Sequence, residues 1–190
     1  NHQSLTPPSW NGGVIDVWGV QLEQGSYPTS YIPTSGTTVT RAADVSTSAL
    51  GVDSFYNQDE GTVFADFSSL LGNTSLNQVV NINIGNNNDR INITNRSNGT
   101  YQAEIVAGTV GQFRADYPFA SKRKAAVGYS TDNVNNSYDG QLGTLDTSAT
   151  IPVVNRMDIG FLNDHMNGHI KRLSYFPVRL PDATLQNITS

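Results

Sequence analysis

An all-β sandwich is the fold class this sequence predicts, and three observations predict it. The first is composition: among 190 residues stand 20 Asn, 18 Ser, 18 Thr and 17 Gly, while charged residues make up only 14%. Amide and hydroxyl side chains compete for helical backbone hydrogen bonds, and Gly loses entropy in a helix, so this mixture favours strands and turns. The second is patterning. From about residue 45 onward, short apolar runs recur at close spacing, several with period-two alternation. The third is punctuation: Asn98-Gly99, Asp139-Gly140 and Asn167-Gly168 fall between such runs, and two-residue hairpin turns need the positive φ these residues tolerate. A chain of this length can bury a sizeable core and fits one domain with a structured flank.

In chain order, residues 1–44 form the flank, an N-terminal strand followed by an extended linker arm, and 45–190 form the domain. Within the flank, 14–22 reads as an apolar strand that would pack Trp18. Pro28 and Pro33 hold the residues before them extended. The stretch 27–43 is therefore an arm that would lie along the domain or a neighbouring chain, with Tyr27 and Tyr31 as anchors for oligomer contacts. In the domain, strands are expected at 62–67, 79–84, 90–94, 100–106, 124–130, 157–162 and 169–176, and a helical turn at 181–188. Strands so closely spaced would pair as an antiparallel meander.

Alternation also assigns faces, because successive side chains of a strand point to opposite sides. Val80, Ile82 and Ile84 share one face, and so do Ile91 and Ile93 on the next strand. The opposite face is lined by Asn81, Asn83, Asn92, Thr94, Gln102 and Glu104. It is short of Lys, the residue that commonly solubilises an outer face. Amides offer donor and acceptor together, matching the paired hydroxyls of a sugar. Two readings stay open: the wetted face of a low-charge protein, or a glycan groove hydrogen-bonding through Asn81, Asn83, Asn92 and Glu104. Tyr129 and Tyr138, in or beside loops around 124–130, are the rings placed to stack on a pyranose; such rings also fill cores.

Charge and chemistry exclude much. With 11 basic against 16 acidic residues, net charge is −5, which argues against a nucleic-acid footprint; Lys122-Arg123-Lys124 is a solvated loop in this reading. No apolar run reaches the ~18 residues of a membrane span, and no signal peptide opens the chain. The first residue is Asn, so a fragment of a longer chain is expected. With no Cys, disulfide scaffolds, thiol nucleophiles and thiolate metal sites are excluded. Such a composition points to an extracellular or virion-type domain. A glycosidase needs two flanking carboxylates, yet the Glu residues are Glu23, Glu60 and Glu104, and no acidic residue accompanies Glu104 at strand-alternation spacing. His165 and His169 are four apart, but Asn167-Gly168 intervenes, so they read as turn-flanking residues. Oxygen-rich loops at 86–89 and 131–139 offer ligands to a hard cation such as Ca2+, with Asp89, Asp132 and Asn133 as the candidate donors. The same residue types also simply make turns.

Two segments carry a resemblance. Asp16-Val17-Trp18-Gly19-Val20-Gln21-Leu22-Glu23-Gln24-Gly25-Ser26-Tyr27-Pro28-Thr29-Ser30-Tyr31-Ile32-Pro33-Thr34, running into Val39-Thr40-Arg41-Ala42-Ala43-Asp44, resembles a string common in tail-fibre and tail-associated proteins of tailed phages and prophages. There it closes one β module and leads to the next. Asn167-Gly168-His169-Ile170-Lys171-Arg172-Leu173-Ser174-Tyr175-Phe176-Pro177-Val178-Arg179-Leu180-Pro181-Asp182-Ala183-Thr184-Leu185-Gln186 is similar to the end of the concanavalin-A-like (laminin-G-like) jelly rolls in those proteins, and 60–67 resembles their first core strand.

The resemblance implies a jelly-roll β-sandwich of two antiparallel sheets in an extracellular virion tail. It also implies a homotrimer, recognition of a host cell-surface glycan, and residues 1–44 as the end of a preceding β module. Some relatives are glycanases whose catalytic strand carries Glu-x-Asp-x-x-Glu. This sequence has no such string, and its corresponding strand, 81–84, has amides where carboxylates would be needed. A non-enzymatic carbohydrate-binding, host-receptor recognition domain is the resulting expectation. Its rivals are a structural trimerisation or spacer module and a polysaccharide depolymerase led by Glu104.

Overall fold

Alternating segments become strands where neighbours can take their backbone hydrogen bonds. The computed structural model describes residues 16–22, 31–40, 46–49, 55–69, 77–96, 100–118, 122–161, 166 and 168–190. Among these, the strands are β1 (Ser46–Ala49), β2 (Glu60–Ser69), β3 (Asn77–Asn83), β4 (Arg90–Asn95), β5 (Thr100–Ala107), β6 (Val110–Pro118), β7 (Lys122–Ser130), β8 (Asn135–Tyr138), β9 (Gln141–Leu142), β10 (Arg156–Ile159) and β11 (Gly168–Phe176), followed by the helix α1 (Asp182–Thr189). They form a six-stranded sheet of order β1-β10-β3-β4-β5-β6 and a five-stranded sheet of order β11-β2-β7-β8-β9. All ladders are antiparallel. This is the expected two-sheet jelly roll.

The meander holds only in part. Neighbours in sequence pair from β3 to β6 and from β7 to β9, whereas β10 and β11 return to pair with β3 and β2. Strand β6 escaped the sequence reading although 112–117 alternate polar and apolar; it is an edge strand on which Phe113 is buried and Ala115 and Tyr117 are half-buried. The turn before it is Gly108-Thr109, both at positive φ, a conformation rare for a β-branched residue. Asp139-Gly140 does form the tight turn its sequence suggests, at φ +45° and +76°. Asn98-Gly99, His165 and Asn167 lie outside the described residues.

The sandwich interior is filled from both sheets: Val63, Ala65, Phe67, Ala125 and Val127 on one side, Val80, Ile82, Ile91, Ile93, Ala103 and Ile105 on the other. Helix α1 follows Pro181, and Arg179 pairs with its first residue, Asp182, at 2.6 Å. Its Leu185 is buried against Phe64 and Ala126 on the outer face of the five-stranded sheet. No helix among the described residues is long and apolar enough to cross a membrane.

The chain divides into two compact units, Asn1–Ala43 and Asp44–Ser190. In the first unit the strand expected at 14–22 is not formed over its described part, 16–22. Gly19 turns the backbone to φ +66°, and among the described residues no ladder pairs with this segment. Trp18, expected to be packed, is 86% exposed and meets Tyr31 only edge-on at 6.5 Å.

Candidate functional site

The outer face of the six-stranded sheet gathers the polar residues that alternation assigned to it. Across adjacent strands, Asp158, Asn81, Asn92, Glu104 and Arg114 stand directly opposite one another. At about 4.8 Å per strand, that row spans about 19 Å. A second row is Gln78, Thr94, Gln102 and Asp116, and a third contains Arg156, Asn83 and Arg90. Gln78 reaches this face through a register irregularity between Gln78 and Val80, which leaves both Val79 and Val80 in the core.

Three ion pairs brace the face: Arg90 with Glu104 at 2.5 Å, Arg156 with Asp158 at 2.6 Å and Arg114 with Asp116 at 3.2 Å. Gln102 donates from Nε2 to Asp116 at 3.0 Å. Asn83 donates from Nδ2 to Asp158 at 2.8 Å and accepts from the Gly85 backbone at 2.6 Å. Between β3, β4 and β5 lies a groove of about 140 Å³, walled by Gln78, Arg90, Asn92, Arg96, Gln102 and Glu104 among others. It is smaller than the ~300–1,000 Å³ of a drug-sized pocket, so it suits one end of a sugar rather than a long chain.

Several buried polar atoms here have no hydrogen-bond partner among the described residues: Gln78 Oε1, Asn92 Oδ1 and both amide atoms of Asn81. Each such group costs about 1–3 kcal/mol relative to a satisfied one. Atoms of Tyr56, Arg123, Asn136, Tyr138 and Arg179 elsewhere in the described chain are unpaired as well; those of Gln78 and Asn92 belong to residues that wall the groove.

Asn92 and Glu104 thus line the groove together, with Asn81 beside it in the same row. Asn83 is engaged by Asp158 and Gly85. The two aromatic candidates require correction. Tyr129 and Tyr138 are 0% and 1% exposed, so neither ring can stack on a ligand. Tyr129 Oη lies 3.1 Å from Tyr175 Oη, and Tyr138 stacks on Tyr117 with centroids 4.0 Å apart. Burial raises the hydroxyl pKa of both. Tyr129 lies next to the end of β7 and Tyr138 ends the four-residue β8, which is why both read in sequence as residues in or beside loops.

The candidate cation donors act as turn residues. Asp89 Oδ1 accepts from the Gly108 backbone at 2.8 Å, clamping the β3–β4 loop to the β5–β6 turn. Asp132 sits at φ +55° and donates its backbone N–H to Ala149, while Asn133 and Ser130 close the β7–β8 turn with reciprocal backbone bonds. The two loops belong to different sheets. Among the described residues no group of three His, Asp or Glu gathers for a metal.

Space also supplies what linear spacing missed. Asp116 is the diagonal neighbour of Glu104 across β5 and β6, so Glu104 does have an acidic companion. Each of the two carboxylates accepts from a guanidinium, Glu104 from Arg90 and Asp116 from Arg114.

No family model and no curated relative matches this chain. Solved structures do. The CBM40 carbohydrate-binding module of the Ruminococcus gnavus IT-sialidase, bound to α2,3-sialyllactose, superposes with a TM-score of 0.57 at 16% identity, covering 70% of this chain and 84% of that one. The NanB sialidase of Streptococcus pneumoniae gives 0.57 and 16%, covering 70% of this chain and 24% of that one. A heptameric SAP-like pentraxin from Limulus polyphemus gives 0.54 and 14%, covering 78% and 84%. The likeness is one of fold. The domain has the jelly-roll architecture of carbohydrate-binding modules and lectin-like proteins.

Of the groove residues that went unassigned in the sequence, Arg96 and Gln78 each left a signal. Arg96 continues the alternate series Arg90, Asn92, Thr94. Val79-Val80 breaks the alternation of β3, and that break is the irregularity that turns Gln78 outward.

Proposed function

We propose that this chain is a non-enzymatic carbohydrate-binding domain that recognises a host-surface glycan as part of a tailed-phage tail protein. The observation that carries the reading is the amide-paved outer face of the six-stranded sheet, where Gln78 Oε1 and Asn92 Oδ1, both without partners among the described residues, belong to the walls of one groove. Such acceptors suit sugar hydroxyls. The jelly-roll likeness to a module bound to sialyllactose supports a glycan partner. The phage setting, the virion location and the homotrimer rest on the resemblance of residues 16–44 and 167–186. Binding of the purified chain to a glycan array tests the reading. Asn92→Ala combined with Gln102→Ala should lower affinity about tenfold or more through the loss of two hydrogen-bonding side chains. Unchanged binding by the folded double variant would remove the groove from consideration.

A second reading, a trimerising or spacer module, is favoured by Val17, Trp18, Val20 and Leu22, all strongly exposed in the first unit. It expects self-association that a truncation beginning at Val45 abolishes, with no glycan bound by either form.

A further inference from the structure

Each arginine on the polar face has a carboxylate partner among the described residues except one. Arg90, Arg114 and Arg156 pair with Glu104, Asp116 and Asp158. Arg96, at the end of β4, lines the groove and has no such partner among the described residues. Among the described residues the groove thus holds one arginine without a carboxylate partner, in a protein whose net charge is −5. Beside it, Gln78 Oε1 and Asn92 Oδ1 are buried and unpaired. The planar guanidinium fork matches an oxyanion, which it can hold with two parallel hydrogen bonds. The two carbonyl oxygens can only accept, so their complement is a pair of hydroxyls.

From this combination we infer that the groove selects an acidic saccharide, seating its carboxylate or sulfate ester on Arg96 and its neighbouring hydroxyls on Gln78 and Asn92. The inference deepens the carbohydrate reading of the same face and rests on it. The small volume of the groove fits a single acidic substituent with the ring edge that bears it. Glu104 serves here as a positioning residue. By neutralising Arg90 it leaves Arg96 as the anion's contact, and its own charge disfavours an acidic group placed further along the row.

The test is binding of the whole chain to lactose, 3′-sialyllactose and 3′-sulfolactose, alongside an array of neutral, carboxylated and sulfated glycans. Three proteins are compared: wild type, Arg96→Gln and Lys171→Gln. Lys171 is exposed on β11 of the other sheet, so its variant removes the same charge without touching the groove. The expected result is that tight binders carry an oxyanion and that Arg96→Gln weakens them at least tenfold. Lys171→Gln should retain wild-type affinity, and added salt should weaken acidic ligands selectively. Preference between the carboxylated and sulfated arms decides which oxyanion is read. Neutral glycans bound as tightly as acidic ones, or wild-type affinity in a folded Arg96→Gln, would overturn the acidic specificity while leaving carbohydrate binding standing. Silence across the whole array would overturn both.

Discussion

On the outer face of the five-stranded sheet, Phe64 and Ala126 lie under Leu185 of α1, and Thr62 is hydrogen-bonded to the backbone of Val178 and Leu180. On the six-stranded sheet the outward positions hold Gln78, Asn81, Asn92, Thr94 and Gln102, all buried, with amide atoms that no group in the described chain satisfies. Both faces come from the same period-two alternation over one core. One is closed by a helix of the chain itself, with Arg179 Nε as its own unpaired atom among the described residues. The other is closed by ion pairs and amides and leaves acceptors around a groove. A sheet face that a protein only needs to shield is covered with its own apolar residues; a face that leaves polar groups unsatisfied is the better candidate for binding something from outside.

The largest test of that contrast is Leu185→Ala, which should destabilise the domain by about 2–5 kcal/mol in chemical denaturation, through lost burial and the cavity it leaves. A loss under about 1 kcal/mol would mean that α1 does not seal the face. Next comes alkaline unfolding. Burial holds Tyr129, Tyr138 and Tyr56 above the ordinary tyrosine value of 10.0. The folded chain then keeps protons that the unfolded chain has lost. Stability is accordingly full below pH 10 and falls above it, by about 1.4 kcal/mol per pH unit for each such tyrosine. Tyr129→Phe should flatten that decline in a pH series of melting temperatures; an unchanged slope would count against it.

On the polar face the sign reverses. Asn81→Val replaces an unpaired buried amide with an apolar residue that favours strands, and should raise stability by about 1 kcal/mol. Destabilisation instead would mean that the amide is satisfied in solution. The smallest effect is expected at Thr109→Gly, which relieves a β-branched residue at φ +71°. It should add about 0.5–1 kcal/mol after the entropy of Gly is counted, with the Asp89 clamp on Gly108 kept.

Legibility in the sequence followed locality. Strands β2 to β5, β7, β10 and β11 and the helix were readable because apolar alternation, turn dipeptides and Pro181 act over a few residues. The edge strands β1 and β6, the four-residue β8 and the two-residue β9 were not. The polar side chains of β3, β4 and β5 were readable for the same reason, so Asn92 and Glu104 were found. Asn83 was placed on the correct face, but its amide is engaged by Asp158, which joins the site from a strand 75 residues away.

The sequence by itself determined the all-β class, the inward set of Val80, Ile82, Ile91 and Ile93, and the amide character of the face behind them, because each depends only on side-chain chemistry and a period of two. Only the tertiary structure decided which tyrosines are core, which oxygens are engaged and which arginine is left over. Tyr129 and Tyr138 are buried because opposite sheets close over them. Asp89 bonds the β5–β6 turn rather than standing free. Among the described residues Arg96 is left without a carboxylate partner, because Glu104, Asp116 and Asp158 pair with Arg90, Arg114 and Arg156. Burial and pairing are properties of neighbours in space, and strands far apart in the chain supply those neighbours.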